Sequence, residues 1–242
     1  MTARTIHDPD ESGGASYAGA HAQADLAEIL RERTQAVHTR AERSGVINDV
    51  LRGRATRYAY AMLLRNLLPA YQCMEHGLER FREKPGVGAV ARREVYRAAA
   101  LQSDLRALYG DRWDHSLPLL PEGEQYGRRV AEAAKGDGTR LIAHAYTRYL
   151  GDLSGGQIMK RMLARLLKLE PRELSFHEFP GIADADAFKR DYRQALNRAA
   201  AELVDVKGVI EEVMVAFELN IAVSEAVQKV GAAMPPSGIA SD

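Results

Sequence analysis

The stretch His144-Ala145-Tyr146-Thr147-Arg148-Tyr149-Leu150-Gly151-Asp152-Leu153-Ser154-Gly155-Gly156-Gln157 places three glycines inside a segment, Thr139 to Leu169, whose apolar residues recur with a helical period. A glycine in a helix interior costs about 1 kcal/mol relative to alanine, so three of them call for a compensating reason. At about 100° per residue, His144, Arg148, Gly151, Asp152, Gly155, Gly156 and Met159 share one arc. Ile142, Tyr146, Tyr149, Leu150 and Leu153 lie broadly on the other side. One side therefore reads as ordinary core, and the other is stripped of side chains and carries a carboxylate. Spacing alone admits three readings: close packing of another helix over small residues, a glycine kink, or a flat ligand lying against bare backbone. A phosphate cradle fits less well, because no strand precedes the run and no Gly-Lys-Ser/Thr follows it.

The rest of the chain has the same helical grain, and no alternating strand stands out. A first helix is expected from about Asp25 to Arg43, with Leu26, Leu30, Thr34, Val37, His38 and Ala41 on one side and Gly45 ending it. A short helical piece follows over Val46 to Leu51. The long apolar-rich segment Thr56 to Glu83 contains Pro69, which should kink it. Ala89 to Tyr109 reads as one helix closed by Gly110, and Glu122 to Ala134 as another after Pro118 and Pro121. Gly136-Asp137-Gly138 is a breaker. Pro171 to Ile182 reads as a loop, and two last helices cover about Asp184 to Val204 and Asp205 to Val230. The economical architecture is a single all-α domain of about eight helices over residues 24–230, with a polar leader over 1–23 and a flexible tail over 231–242.

Composition narrows the function classes. Lys plus Arg and Asp plus Glu both number 33, so the net charge is zero and no broad nucleic-acid-binding surface is expected. Cys73 is the only cysteine, which excludes an internal disulfide or a cysteine-cluster metal site and suits a reducing cytoplasm. The N-terminus lacks the apolar core of a secretory signal, and no apolar run approaches the ~20 residues of a membrane span. A soluble, cytoplasmic protein is expected. None of the seven histidines has a glutamate three residues before it, so the Glu-x-x-His pairs of di-iron bundles are missing. His38 shares a helix face with Leu30, Thr34 and Val37, a placement that by itself favours a hydrogen-bonded core histidine over a ligand.

The run from His144 to Gln157 resembles, over its whole length, the signature of the haem oxygenases. Further blocks resemble that family in the expected order: Ala36 to Glu42, Arg97 to Leu105 with Tyr109 to Trp113, Phe188 to Arg193, and Phe217 to Ile221. Coverage extends from about Asp25 to Val230. The resemblance implies an all-α fold that sandwiches haem between its first, proximal helix and a kinked, glycine-rich distal helix. It implies haem b as substrate and cofactor, O2 consumed, and biliverdin (the IX-alpha isomer), CO and ferrous iron released. No Rossmann fingerprint or flavin motif is present, so an external electron donor is implied, either an NADPH-dependent flavoprotein reductase or a ferredoxin.

By the same resemblance, His38 is the axial iron ligand, with Glu42 one turn onward as acceptor for its other ring nitrogen. His144 is not assigned to the iron and is expected to be structural. Asp152 is implied to deliver protons through ordered water without crowding the iron. Tyr71 helps hold that water, and Gly151, Gly155 and Gly156 let the backbone approach the ring. Lys189 and Arg193, four apart on one helix face, are implied to anchor the propionates with Tyr146 and Arg31 near them. The chain departs from the family where Arg31 and Gln35 stand for common lysines, and where Ser224 stands for a larger Phe, which implies a roomier distal wall. Two rivals fit a related architecture: a haem carrier without turnover, and a helical enzyme of the thiaminase type acting on another small molecule.

Overall fold

The computed structural model describes residues 25–233, and every regular element among them is helical. The expected leader, residues 1–23, lies outside the described residues. Asp25 opens α1 (Leu26–Glu42) by accepting from the Glu28 N–H at 2.9 Å, the N-cap role its short carboxylate suits. Leu26, Leu30, Thr34 and Val37 are buried along one side of α1, while Gln35, His38 and Glu42 remain exposed. The chain then turns through Gly45 into α2 (Gly45–Leu51). Gly45 has φ +57°, and a Cβ there would lie 2.3 Å from the Ser224 carbonyl carbon. Backbone hand and space both require glycine at this corner.

Thr56 caps α3 (Arg57–Arg80) by accepting from the Ala59 N–H at 3.1 Å. The helix continues past Pro69 as one element. The single helix expected over Ala89 to Tyr109 is instead two 3₁₀ turns, Val87–Val90 and Arg93–Val95, followed by α4 (Ala98–Tyr109). The reason is tertiary. The Glu75 carboxylate on α3 accepts from the Arg97 and Ala98 amides at 2.5 and 3.0 Å and so caps α4 from outside. Upstream, the Val90 carbonyl accepts from the Tyr192 hydroxyl at 3.2 Å, and Arg92 pairs with Asp191 at 2.7 Å.

After the short α5 (Trp113–Ser116), α6 (Pro121–Ala133) lies directly along α3. A Cβ on Gly123 would come within 2.5 Å of Asn66 Oδ1, and one on Gly127 within 2.8 Å of the Pro69 Cβ. Close packing over small residues, offered as a reading of the distal glycines, is therefore realised here. The α7 helix (Leu141–Leu167) runs without interruption through Gly151, Gly155 and Gly156. Two 3₁₀ turns, Pro171–Glu173 and Ser175–His177, bring the chain back across it.

Next come α8 (Ala185–Ala201), capped by Asp184, and α9 (Val206–Ala233). Residues 231–233 of the expected tail thus continue the last helix, and the remainder of that tail lies outside the described residues. α9 is the central post, touching α1, α2, α3, α6 and α7. His144 joins it to α7: its Nε2 lies 3.0 Å from Glu212 Oε1, both side chains are buried, and Arg129 of α6 donates to the same carboxylate. No helix among the described residues is long and apolar enough to cross a membrane.

Candidate functional site

A cavity of about 680 Å³ opens between α1 and the middle of α7, closed behind by α3 and α9. Its α7 wall is formed by Tyr146, Leu150, Gly151, Ser154, Gly155 and Ile158, among others. This shifts the bare arc from the one expected. Tyr146 and Leu150, assigned to the core side, face the cavity, and His144, assigned to the bare side, is sealed against Glu212. Ile142, Tyr149 and Leu153 are core as expected.

The glycines separate into roles. A Cβ on Gly151 or Gly155 would meet no atom of the rest of the molecule within 4 Å. Close helix packing therefore cannot explain them. Both open onto the cavity, so the cost of placing them in a helix is offset by nothing the protein itself supplies. Gly156 differs, because a Cβ there would stand 3.4 Å from the His177 ring.

Across the cavity, His38 projects from α1 with its side chain 54% exposed. Its Nδ1 faces Glu42 Oε1 at 3.7 Å, and its ring meets Phe217 edge-on at 6.0 Å between centroids. This leaves an imidazole with a carboxylate one turn away, beyond hydrogen-bond reach, and with Nε2 unengaged among the described residues. The side walls are apolar, with Leu63, Leu64 and Leu67 from α3 and Phe217 and Ile221 from α9. A planar, largely apolar group could lie between this bare helix face and the His38 ring.

Asp152 is buried beside the glycines. Its carboxylate accepts from the Tyr71 hydroxyl and from Arg148 NH2 at 2.9 Å. Arg148 Nε donates to the Tyr71 oxygen at 2.7 Å, and its NH1 donates to Asn220 Oδ1 at 2.5 Å. Asn220 in turn donates to the Tyr126 hydroxyl at 2.9 Å. Burial raises the Asp152 pKa, and the Arg148 charge and the Tyr71 hydrogen bond pull it back. Burial likewise pushes the Tyr71 hydroxyl well above its ordinary value. For Arg148, burial opposes the charge, but Asp152, Tyr71 and Tyr126 more than restore it and hold the guanidinium protonated.

At the open rim, Arg31, Tyr146 and Arg193 come together. Burial raises the Tyr146 hydroxyl pKa, while Thr34, Arg193 and Arg31 lower it, so the phenol sits in a positive field. Arg31 is tied to Glu28 at 2.9 Å and is largely exposed. Lys189 does not reach the cavity wall. Its ammonium is held by Asp186 Oδ1 at 2.8 Å, one turn earlier on α8. Gln35 lines the cavity. Ser224 also lines it, where its hydroxyl donates to the Ser44 carbonyl at 3.2 Å and pins the turn into α2. Arg148 is the functional residue that reading the sequence missed, although its i,i+4 spacing to Asp152 carried the signal.

The family model described as Heme oxygenase matches residues 24–226. The chain belongs to the haem oxygenase family. It is 38% identical over 208 residues to human heme oxygenase 1, a match covering 85% of this chain and 72% of the human protein. Heme oxygenase 1 of the cyanobacterium Synechocystis is 35% identical, with 81% and 82% covered. The crystal structure of Synechocystis heme oxygenase-1 in complex with heme superposes with a TM-score of 0.81 at 33% identity, covering 86% of this chain and 94% of that one. The heme oxygenase of Leptospira interrogans superposes with a TM-score of 0.77 at 36% identity, covering 84% and 99%. The two solved structures share the all-α architecture over 84–86% of this chain.

Proposed function

We propose that the cavity between α1 and α7 takes haem b and that the chain is the enzyme which opens it, as its family does, to biliverdin, CO and ferrous iron. The observation that carries this reading is the pair Gly151 and Gly155, whose missing side chains face open cavity opposite His38 and beside a buried Asp152. Bound haem would supply the iron at which O2 is reduced and the ring that is oxidised.

Within this reading each residue has a task. His38 would hold the iron through a ring nitrogen, and Glu42, whose Oε1 stands 3.7 Å from Nδ1, would close up to become the acceptor for the other. Gly151 and Gly155 would let a flat ring approach the α7 backbone, and Gly156 would extend the bare strip to where it meets His177. Asp152 handles the proton, with Tyr71 donating to it and Arg148 holding both oxygens in place. Arg31, Arg193 and Tyr146 supply donors to the propionates at the rim, and Lys189 joins them only by leaving Asp186. The product proposed is the α isomer of biliverdin, on the resemblance of the Lys189 and Arg193 pattern to enzymes that make it. Electrons come from a separate flavoprotein reductase or a ferredoxin, and the reaction belongs in the reducing cytoplasm that a single free cysteine suits.

The test is to add haem to the purified chain, record a Soret band, and then supply a reductant in air. Biliverdin absorbance is expected to grow as the Soret band falls. Haem that binds and stays intact with every electron donor would overturn the enzyme reading and leave a carrier. No Soret band at all would remove haem as the ligand.

A further inference from the structure

At the inner end of the cavity, three polar atoms have no partner. His177 is 5% exposed and Tyr60 1%, yet both line the cavity. Among the described residues, no group hydrogen-bonds to either His177 ring nitrogen or to the Tyr60 hydroxyl. The two rings are stacked, 6.2 Å apart with 17° between planes. Phe176 packs edge-on against His177 on one side and Tyr71 on the other. The nearest atom to a Cβ on Gly156 is His177 Nδ1, so the imidazole edge abuts α7 at the residue one turn after Asp152.

Buried nitrogens and oxygens are almost always paired, and where protein groups do not pair them, ordered water does. Phenylalanine at both positions would keep the ring packing without leaving any polar atom unpaired. Burial, reinforced by the Lys160 and Arg148 charges, lowers His177 to about 3, so its ring is neutral and presents one donor and one acceptor. Burial, with Asp104 and Glu173 nearby, keeps the Tyr60 phenol protonated.

We propose that Tyr60 and His177 hold a small water cluster at the inner end of the cavity, and that this cluster hydrogen-bonds onward to Asp152, extending its network by one helical turn. The inference rests on the reading of Asp152 as the residue that handles the proton. Asp152, His177 and Tyr60 line the same cavity, and Gly156, which His177 abuts, stands one turn, about 6 Å, along α7 from Asp152. The charged and titratable groups facing Asp152 are Arg148 on its own helix, Tyr71 and Glu75 from α3, and Arg97 ahead of α4. Those facing His177 are Lys160 and Arg148.

Two measurements on the full, haem-free chain test this without turnover. A high-resolution crystal structure is expected to show ordered water within about 3.2 Å of a His177 ring nitrogen and of the Tyr60 oxygen. Titration of the Asp152 carboxyl by 13C NMR is expected to move upward in His177→Phe, because the carboxylate loses a water that stabilises its charged form. Tyr60→Phe removes one unpaired oxygen while keeping the buried ring. It should show the same upward shift in smaller degree, and it stands in should His177→Phe misfold. A dry subsite, or an Asp152 titration unchanged in the variants, overturns the proposal. The two readings fail separately: haem that is never opened leaves the water in place, and a dry subsite leaves haem opening untouched.

Discussion

Gly151 and Gly155 sit in the middle of α7 with open space where their side chains would be. Replacing either with alanine should therefore raise the stability of the haem-free chain by roughly 0.5–1 kcal/mol through helix propensity alone. The same change should weaken haem binding, because the methyl group projects into the ring's place. Gly123→Ala reverses the pattern: its Cβ collides with Asn66, so stability should fall by about 1–3 kcal/mol, with haem binding untouched. Thermal melts and haem titrations of the three variants check this, and a destabilised Gly155→Ala would count against an open cradle. Asp152→Asn keeps the size and the hydrogen bond from Arg148 but removes the ionisable proton. It should bind haem with near-parent affinity and lose at least tenfold in biliverdin formation, read in single turnovers. Unchanged turnover would remove Asp152 from proton delivery. At this scale the sequence was legible where a residue type repeats a helical spacing, as with the glycines and Asp152. It was silent on His177, because only the return of the Ser175–His177 turn across α7 brings that ring to Gly156.

Helix existence followed from apolar periodicity, and helix ends followed from caps where these are local, as at Asp25, Thr56 and Asp184. The Ala89 to Tyr109 segment was misread as continuous because its cap is not local: Glu75, some twenty residues earlier, supplies it from α3. The bare arc of α7 was offset for a related reason, since α9 claims His144 through Glu212 and turns that side of the helix inward. The borrowed cap has a pH signature. Burial pushes the Glu75 carboxyl up to about 7, against the pull of the Arg97 and Ala98 amides and the Arg97 charge, with Asp152 adding to the rise. The folded pKa lies above the unfolded one, so between about pH 4.5 and 7 the native chain holds a proton that the unfolded chain has released. Stability therefore falls as pH rises through that window, by roughly 2–3 kcal/mol from this group. Glu75→Gln keeps an acceptor for both amides and removes the charge. Its denaturation midpoint should flatten across the window and exceed the parent's at pH 8. An unchanged pH slope in Glu75→Gln would show that the carboxyl does not titrate there.

At the scale of the whole molecule, α1 is held by α2, α8 and α9, while the cavity separates its inner side from α7. The face it turns to that cavity carries Gln35, His38 and Glu42, which are exposed and contribute little to the core. A ligand bridging His38 to the bare face of α7 joins two elements that otherwise meet at the rim, where Tyr146 stands by Thr34 and Arg31. Haem should therefore stabilise the fold with the logarithm of its free concentration, by about 2.7 kcal/mol at one hundred times its dissociation constant. The gain should be localised, with hydrogen-exchange protection rising in α1 and in the middle of α7, and little change along the α3–α6 seam that is already closed by Gly123 and Gly127. His38→Ala separates the ligand's contribution from the protein's own. The side chain is 54% exposed, and its ring nitrogens make no hydrogen bond among the described residues, so the haem-free melting temperature should stay within the scatter of a surface substitution. The haem-induced rise should shrink if, as proposed, an axial bond from His38 is the link that engages α1. A rise of full size in His38→Ala would mean that α1 is engaged through the rim cations Arg31 and Arg193 rather than through the iron. In that event a double replacement at those two positions should abolish the rise.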